Sequence, residues 1–256
     1  MENKLIVSSS PHLKSDSSTA GIMRDVIIAL VPTLIASVIL FGFRALVVTA
    51  TCVLFCIVFE YLFNRIIKRE QTVGDFSAVV TGLLLPFNLP TTLPLWMCVI
   101  GSFVSIVIAK QLFGGLGQNF ANPALVGRIV LMISFATQMS TWAAPFYYRQ
   151  PEIVTSATPL AVIPQVINGE LSADNLPALS DLLLGTTGGC LGETCAITLI
   201  LGGIYLVARR VISPAAPLAF IGTVFVFTAL MGAYPVHQIL SGGLLLGAIF
   251  MATDYV

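Results

Sequence analysis

Long apolar blocks, separated by short polar stretches, run through most of this chain. A helix that crosses a bilayer needs ~20 mostly apolar residues, so the pattern predicts an all-α polytopic membrane protein. Eight membrane segments are predicted, at about 26–43, 46–66, 76–90, 93–109, 123–138, 194–208, 218–232 and 239–252.

The third predicted segment differs from the others because prolines interrupt it. It reads FSAVVTGLLLPFNLP, and Pro86 and Pro90 fall within the apolar run. Pro32, inside the first segment, is tolerable in a membrane helix, where neighbouring groups satisfy the freed carbonyl. We therefore expect the third span to be short and broken.

Composition argues against an ordinary soluble fold. Hydrophobic residues make up 57% of the chain and charged residues 9%, against ~25% charged residues in typical soluble domains. The formal net charge is zero, so no overall field would gather nucleic acid. The polar first twenty residues do not have the pattern of a cleavable signal peptide. The expected surroundings are a lipid bilayer, with no nucleic acid partner.

Lysine and arginine positions predict the orientation, because these residues concentrate at cytoplasmic span ends. With alternating spans, ten of them fall on one side and only Arg44 and Arg149 on the other. The amino terminus is therefore predicted to be cytoplasmic and segment 140–192 extracytoplasmic. The ten are Lys4, Lys14, Arg24, Arg65, Lys68, Arg69, Lys110, Arg128, Arg209 and Arg210.

The text Gly-Leu-Leu-Leu occurs twice, beginning at Gly82 and at Gly243. Five spans per unit would make these two copies of opposite orientation, as in inverted repeats whose interrupted helices hold a ligand near the midplane. A chance match of leucine-rich text is the alternative. The predicted organisation is a cytoplasmic segment 1–22, a first membrane repeat 23–139, an extracytoplasmic loop region 140–192 and a second, incomplete repeat 193–256.

The stretch with the highest density of polar residues at predicted membrane depth is AKQLFGGLGQNFANPALVGR, residues 109–128. Charged groups at such depth are costly and tend to mark pathways or ligand sites. We interpret Lys110, Asn119, Asn122 and Arg128 as the environment of an ion or a ligand. The alternative is a cytoplasmic turn whose basic residues only fix the topology.

Acidic residues near the span ends are candidate cation ligands or simple interfacial groups. Glu60 has the strongest claim because it lies inside the second predicted span. The acidic set is Asp25, Glu60, Asp75, Glu193 and Asp254.

Cysteines fall into two groups. Cys52, Cys56 and Cys98 lie in apolar runs and are predicted to be core residues. Cys190 and Cys195, in GGCLGETC, have a spacing that a metal pair could use, but further ligands are missing nearby. We favour free thiols near a membrane edge.

A cluster of hydroxyls stands out in VTSATPLA, where Thr155, Ser156 and Thr158 precede a proline. On residue physics alone, such a cluster is typical of a turn or helix start, because the hydroxyl caps free N–H groups. A nucleophilic serine is a weaker alternative. It needs a histidine base, and His12 and His237 lie far away in sequence.

Resemblance to a known family decides between these alternatives. TSATPLA resembles the flavinylation sequence Ser-(Gly/Ala)-Ala-Thr of membrane flavin subunits in respiratory sodium pumps. The stretches GDFSAVVTGLLLPFNLP, IGSFVSIVIAKQLFGGLGQNFANPALVGR, GGCLGETCAITLILGGIYL and LSGGLLLGAIFMATDY resemble the D subunit of the ion-translocating oxidoreductase (Rnf) complex. That family includes the B subunit of the Na⁺-translocating NADH:quinone reductase. The likeness covers nearly the whole chain.

The resemblance implies that Thr158 is joined through its hydroxyl to the phosphate of FMN. Thr155 and Ser156 are then expected to donate hydrogen bonds to that phosphate. A second, noncovalent flavin, riboflavin, is expected in the membrane. The candidates for an ion or flavin environment are Lys110, Asn119, Asn122, Arg128 and Glu60.

The resemblance also implies a place in a complex. The complex passes electrons between ferredoxin and NAD and couples this to Na⁺ or H⁺ movement across a bacterial or archaeal plasma membrane. Expected partners are other membrane and peripheral subunits, including a second FMN-carrying subunit and iron–sulfur subunits. The chain itself has no recognisable nicotinamide or iron–sulfur site.

Three alternatives stay open on sequence grounds. One is a subunit of the quinone-reducing relative. Another is a transporter or channel for a small solute or cation without a redox role, and the last is a structural scaffold. Covalent flavin separates the first from the other two.

Overall fold

A computed structural model describes residues 18–149, 157–172, 175–193 and 195–254. Its architecture is helical, as the apolar blocks predict. Within these described ranges, three helical stretches are long and apolar enough to cross a membrane, namely Thr19–Phe41, Phe43–Ile67 and Leu95–Phe113. They match the first, second and fourth predicted spans.

The first two long helices lie next to each other in sequence. Helix α1 (Thr19–Phe41) begins after Ser18, whose hydroxyl accepts a hydrogen bond from Gly21 N at 3.1 Å. Helix α2 (Phe43–Ile67) follows after the single residue Gly42. Both helices are apolar on most faces, and outward-facing positions such as Ile39 are more than half exposed in the isolated chain. A lipid surrounding suits these faces, since lipid tails accept them without cost.

The third span is short, as Pro86 predicts. Helix α3 (Ser77–Phe87) ends at Phe87, and the next residues form backbone hydrogen bonds with a distant loop instead of continuing the helix. Leu191 N donates to Leu89 O at 3.2 Å and Gly192 N donates to Phe87 O at 3.0 Å. The interrupted backbone is therefore satisfied by protein, as non-helical backbone at membrane depth must be.

The fourth span changes its winding midway. Helix α4 (Leu95–Phe103) continues as a π-helix over Val104–Lys110 and ends in a short 3₁₀ turn, Gln111–Phe113. Such π segments are rare and occur frequently at functional sites. Here the π segment ends on Lys110, one of the predicted site residues.

The fifth predicted span is shorter in the structure. Asn122 caps helix α5 (Pro123–Ser134) through its side-chain oxygen, and the helix ends at Phe135, where the backbone leaves the helical region. A separate turn, α6 (Ala136–Met139), follows. The loop region 140–192 contains helices α7 (Pro159–Ile167) and α8 (Leu179–Leu184).

The sixth and seventh predicted spans are helices of moderate length, whereas the eighth is short and irregular in the structure. The helices of this region are α9 (Ala196–Ala208), α10 (Ala215–Leu230), α11 (Pro235–Leu240) and α12 (Leu244–Leu246), the last continuing as a π-helix over Gly247–Met251. The core forms where α2 packs on α3 and α4 and where α1 packs on α9. Ser37 Oγ of α1 donates to Leu191 O at 2.5 Å, which ties the central loop to this core.

Gly82 marks the closest approach of α3 to α2. A Cβ at this position would lie 2.7 Å from Val53 Cα and 3.2 Å from Val53 N. Because backbone atoms form this contact, the two helices have to separate to admit a methyl group.

We expect Gly82→Ala to lower stability by roughly 1–3 kcal/mol, the usual cost of overpacking a core. Gly74→Ala is the matched control, since a Cβ there meets nothing within 4 Å. The measurement is the thermal unfolding midpoint of the detergent-solubilised protein. Equal midpoints for the two variants would show that the α2–α3 contact is looser than described.

Candidate functional site

Thr158 stands immediately before α7, at the start of the helix. Its backbone is extended, with φ −72° and ψ 149°, and its side chain forms no capping hydrogen bond. The position therefore agrees with the prediction that the hydroxyl cluster marks the start of a helix. The Thr158 hydroxyl, however, does not cap the free N–H groups of that helix. Thr155 and Ser156 lie outside the described residues.

The half-buried Thr158 side chain faces a cavity of about 160 Å³. Five separate parts of the chain meet there: the middle of α5, the loop after α6, the start of α7, the loop before α9, and the end of α11 with the loop that follows it. Its walls are Arg128, Trp142, Thr158, Pro159, Leu160, Thr187, Gly188, Gly189, Glu193, Leu240, Ser241, Gly242 and Gly243. We call it the inner cavity.

Arg128 brings a positive charge to the inner cavity. Its Nη1 donates to Asn88 Oδ1 at 2.8 Å and to Glu193 Oε1 at 3.2 Å. Both bonds use one nitrogen of a guanidinium that carries five N–H donors. The Arg128 and Glu193 side chains are 25% and 9% exposed, so this ion pair is shielded from bulk water.

Ser241 adds a hydroxyl that has no protein partner. The residue is 3% exposed, and among the described residues its Oγ has no hydrogen-bond partner. A buried hydroxyl in that state costs ~1–3 kcal/mol, a cost that a polar ligand would remove. Gly242 follows with φ +64°, and a Cβ there would clash with Leu160 Cδ1.

These groups suit a phosphate. A guanidinium, an unsatisfied hydroxyl and glycine-lined backbone are the donors that bind phosphate oxygens. The cavity volume is about five times the ~30 Å³ share of one water molecule. It is large enough for a phosphate but small for a flavin ring system.

A second, larger cavity of about 460 Å³ lies on the other side of Pro159. It shares Pro159, Thr187 and Gly188 with the inner cavity, and its volume falls in the usual range of ligand pockets, ~300–1,000 Å³. We call it the outer cavity. It is lined by Ala144, Pro145, Phe146, Ala157, Pro159, Val162, Asn175, Pro177, Thr186, Thr187 and Gly188.

Lys110 and Glu60 meet in the protein interior. Both are 0% exposed, and Lys110 Nζ lies 2.8 Å from Glu60 Oε2. Lys110 also donates to Ser77 Oγ at 2.5 Å, and Thr72 Oγ1 donates to Glu60 Oε1 at 2.5 Å. Asn64 Nδ2 donates to Thr72 Oγ1 at 2.9 Å. The structure thus joins two predicted site residues into one hydrogen-bonded network.

The polar stretch 109–128 does not form a single site. Lys110 points into the buried network, whereas Arg128 reaches the inner cavity beside Thr158. Asn122 caps α5 and donates to Asp254 Oδ2 at 2.9 Å. The buried amide atoms of Asn119 have no hydrogen-bond partner within the described ranges.

Arg128 also departs from the orientation count. That count treats it as a residue at a cytoplasmic span end, but it lies in the middle of α5, with its guanidinium among the walls of the Thr158 cavity. It therefore carries no information about which side is cytoplasmic.

Each acidic candidate has a protein partner. Glu60 pairs with Lys110, Glu193 with Arg128 and Asp25 with Arg209 at 3.3 Å. Asp75 accepts hydrogen bonds from Ser77, and Asp254 accepts one from Asn122. The acidic residues are thus engaged in contacts that a bound cation would have to replace.

The five cysteines are buried free thiols, as predicted for Cys52, Cys56 and Cys98. Burial raises the pKa of the Cys190 thiol well above its usual range, and the neighbouring Glu193 carboxylate raises it further. Over the part of the chain that the structure describes, groups of three or more His, Cys, Asp or Glu placed to hold a metal are absent. His237 lies beside Tyr234, with ring centroids 6.0 Å apart, and His12 is outside the described residues.

Sequence reasoning missed several walls of the inner cavity. Trp142 and Thr187 come from the loop region, and Ser241 precedes Gly242 and Gly243 in the LSGGLLL text. The Ser-Gly-Gly sequence was the available signal, because a hydroxyl followed by two glycines suits close approach of a ligand.

Together, the helices and the two cavities define a multi-pass α-helical membrane protein with a phosphate-compatible site beside a threonine hydroxyl that does not cap its helix. The chain belongs to the NQR2, RnfD, RnfE family, whose model matches residues 6–256. This confirms the resemblance on which the sequence interpretation rests.

Relatives from several bacteria carry related names. The chain is 44% identical to the D subunit of the Na⁺-translocating ferredoxin:NAD⁺ oxidoreductase complex of Acetobacterium woodii, over 99% of this chain and 78% of that protein. It is 39% identical to the D subunit of the proton-translocating ferredoxin:NAD⁺ oxidoreductase complex of Clostridium ljungdahlii, over 100% of this chain and 80% of that protein. It is 37% identical to the D subunit of the ion-translocating oxidoreductase complex of Rhodobacter capsulatus, over 96% of this chain and 77% of that protein.

Proposed function

We propose that this chain is a membrane flavoprotein subunit in which Thr158 carries FMN through a phosphoester bond. The observation that carries the proposal is the setting of the Thr158 hydroxyl. It forms no capping bond and faces a cavity that also contains the Arg128 guanidinium and the unpartnered Ser241 hydroxyl. The residues present thus fit the phosphate end of the cofactor.

Each of these residues has a separate role in the proposal. Thr158 supplies the oxygen of the covalent bond and fixes the phosphate at the start of α7. Arg128 balances the negative charge of the phosphodiester, while Glu193 and Asn88 hold the guanidinium in place. Thr155 and Ser156 are proposed as further hydrogen-bond donors to the phosphate. When bound, the flavin supplies the electron-transfer chemistry, and the protein positions it and tunes its surroundings.

The proposed complex transfers electrons between ferredoxin and NAD and moves an ion across the membrane. This follows from the names of the relatives, of which one is described as Na⁺-translocating and another as proton-translocating. Family membership therefore does not decide which ion this chain serves. The proposed partners are other subunits of the complex, including a second FMN-carrying subunit and iron–sulfur subunits.

The proposed topology places the amino terminus in the cytoplasm and Thr158 at the extracytoplasmic surface. Eight lysines and arginines still support this orientation against two after Arg128, which lines the cavity, and Lys110, which lies in the buried network, are removed from the original ten. We also propose that the interrupted helices α3 and α12 are equivalent elements of an inverted repeat. Their support is the shared Gly-Leu-Leu-Leu text and the early end of both α-helices.

The buried Lys110–Glu60 pair is proposed as part of an ion or flavin environment within the membrane. A complete ion pair at this depth is expensive to build, because both charges lose their hydration. Asn119 and Asn122, nearer the Gly-rich turn, are proposed as further members of such an environment. The noncovalent riboflavin remains a proposal from family resemblance alone.

Flavin fluorescence of this chain after denaturing electrophoresis tests the proposed function. A covalent flavin stays with the polypeptide, so the band of this chain should fluoresce when the complex is purified from cells that attach flavins. A dark band from mature complex would contradict the proposal and favour a transporter or scaffold without a redox role.

A further inference from the structure

We infer that the outer cavity holds the isoalloxazine ring of the flavin whose phosphate is anchored in the inner cavity, with Phe146 against the ring. This inference rests on the proposed attachment at Thr158. It adds a location for the redox-active ring of the cofactor, and therefore for the part of the protein from which electrons are delivered.

Adjacency of the two cavities is the first support. Pro159, Thr187 and Gly188 line both of them, so the cavities meet at these three residues. Residue 157 lines the outer cavity and residue 158 the inner cavity, so the attachment point lies at their boundary.

The two cavities differ in size and polarity, and each suits a different end of the cofactor. The inner cavity, at about 160 Å³, contains the charged and hydroxyl donors. The outer cavity, at about 460 Å³, is lined mainly by apolar residues, and its polar side chains are Asn175, Thr186 and Thr187. Ligand pockets combine an apolar lining with a few polar groups, which is the composition that a flat aromatic ring with polar edges requires.

Phe146, one of the wall residues, has an unusual backbone conformation. Its φ of +59° lies in the left-handed region, which is unusual for a bulky side chain. Phe146 N donates to Leu40 O at 2.6 Å and Tyr148 hydroxyl donates to Ile39 O at 2.9 Å, so the end of α1 holds this segment. Strained residues that are held in this way cluster at ligand clamps and active sites.

Arg149 lies over the Phe146 ring. Its guanidinium carbon lies 5.0 Å from the Phe146 ring centroid and 5.6 Å from that of Tyr148. The ring is thereby braced by a cation–π contact. A braced aromatic side chain in a cavity wall provides a rigid surface for stacking.

Val162→Phe is designed to fill the outer cavity without touching the attachment residue. Val162 lies one helical turn after Thr158 and lines the outer cavity but not the inner one. Gln165→Phe is the matched control, since Gln165 is exposed on the same helix and lines neither cavity. Both variants are studied in the intact, flavinylated complex.

The readout isolates the flavin at Thr158. The visible circular dichroism and the iodide quenching of flavin fluorescence are measured for each complex, and the signal of a Thr158→Val complex is subtracted. Peptide mass spectrometry gives the flavin occupancy of Thr158 in each sample. Occupancy tests the proposed attachment, while dichroism and quenching test the location of the ring.

We expect Val162→Phe to displace the ring at unchanged occupancy. Iodide quenching should rise by roughly threefold or more, since pockets bury ~70–90% of a ligand's surface, and the dichroism should weaken. Gln165→Phe should change neither signal. Unaltered quenching and dichroism in Val162→Phe at full occupancy would overturn the inference while leaving the attachment at Thr158 intact.

A second variant decides the question if Val162→Phe prevents flavin attachment. Phe146→Leu keeps an apolar side chain in the wall but removes the aromatic face. At full occupancy, the dichroism of the Thr158 flavin should decrease in this variant. An unchanged dichroism spectrum would place the ring away from Phe146 and contradict the inference.

Discussion

Thr158→Val is expected to abolish covalent flavin on this chain and to leave the protein folded. Valine has nearly the shape of threonine but lacks the hydroxyl that would form the phosphoester. The Thr158 side chain makes no capping bond to α7, so the helix start should not depend on it. In-gel flavin fluorescence, together with recovery of the assembled complex, measures the two outcomes.

Thr158→Ser is the control for this experiment, because it keeps a hydroxyl at the same position. It should retain at least part of the fluorescence if the attaching enzyme accepts serine. The assignment depends chiefly on the valine variant. A fluorescent band from Thr158→Val would move the attachment to another residue, with Thr155 and Ser156 the nearest hydroxyls.

Lys110→Met is expected to be the most destabilising single change in the membrane core. It leaves the Glu60 carboxylate, at 0% exposure, without its cation. Removing one partner of a buried pair costs ~3–5 kcal/mol, whereas replacing both partners by apolar or neutral groups is often tolerated. The double change Lys110→Met with Glu60→Gln should therefore recover much of the lost stability.

Thermal unfolding of the solubilised protein compares these variants. Arg209→Met is the control, because it breaks a pair with Asp25 in which the arginine side chain is 58% exposed. Exposed pairs contribute ~0–1 kcal/mol, so this control should unfold close to wild type. If the unfolding temperature of Lys110→Met is no lower than that of Arg209→Met, Glu60 and Lys110 do not form a buried charged pair.

The helices were the most predictable part of the fold. Long apolar runs are sufficient to predict α1, α2 and the α4 span, because a bilayer requires a minimum apolar length. Pro86 predicts the early end of α3 for a similarly local reason. The break of the fifth span at Phe135 has no comparable sequence signal, and the structure places it where the backbone turns toward α6.

The composition of the site was less predictable, because its members are distant in sequence. The Arg128–Glu193 pair joins residues 65 positions apart, and Lys110–Glu60 joins residues 50 apart. The sequence identifies Arg128 and Lys110 as costly charges at membrane depth. It does not show that Lys110 belongs to a buried network and Arg128 to a separate cavity. Ser241 became visible as a site residue only through its unpartnered, buried hydroxyl.

The central claim is that the Thr158 oxygen is bonded to the phosphate of FMN. Cleavage of the mature chain after glutamate releases a peptide from Ile153 to Glu170, which contains Thr155, Ser156 and Thr158. Tandem mass spectrometry of this peptide should show the added mass of FMN less one water, with fragment ions that assign it to Thr158. An unmodified peptide from mature complex, or a flavin assigned to Thr155 or Ser156, would contradict the account.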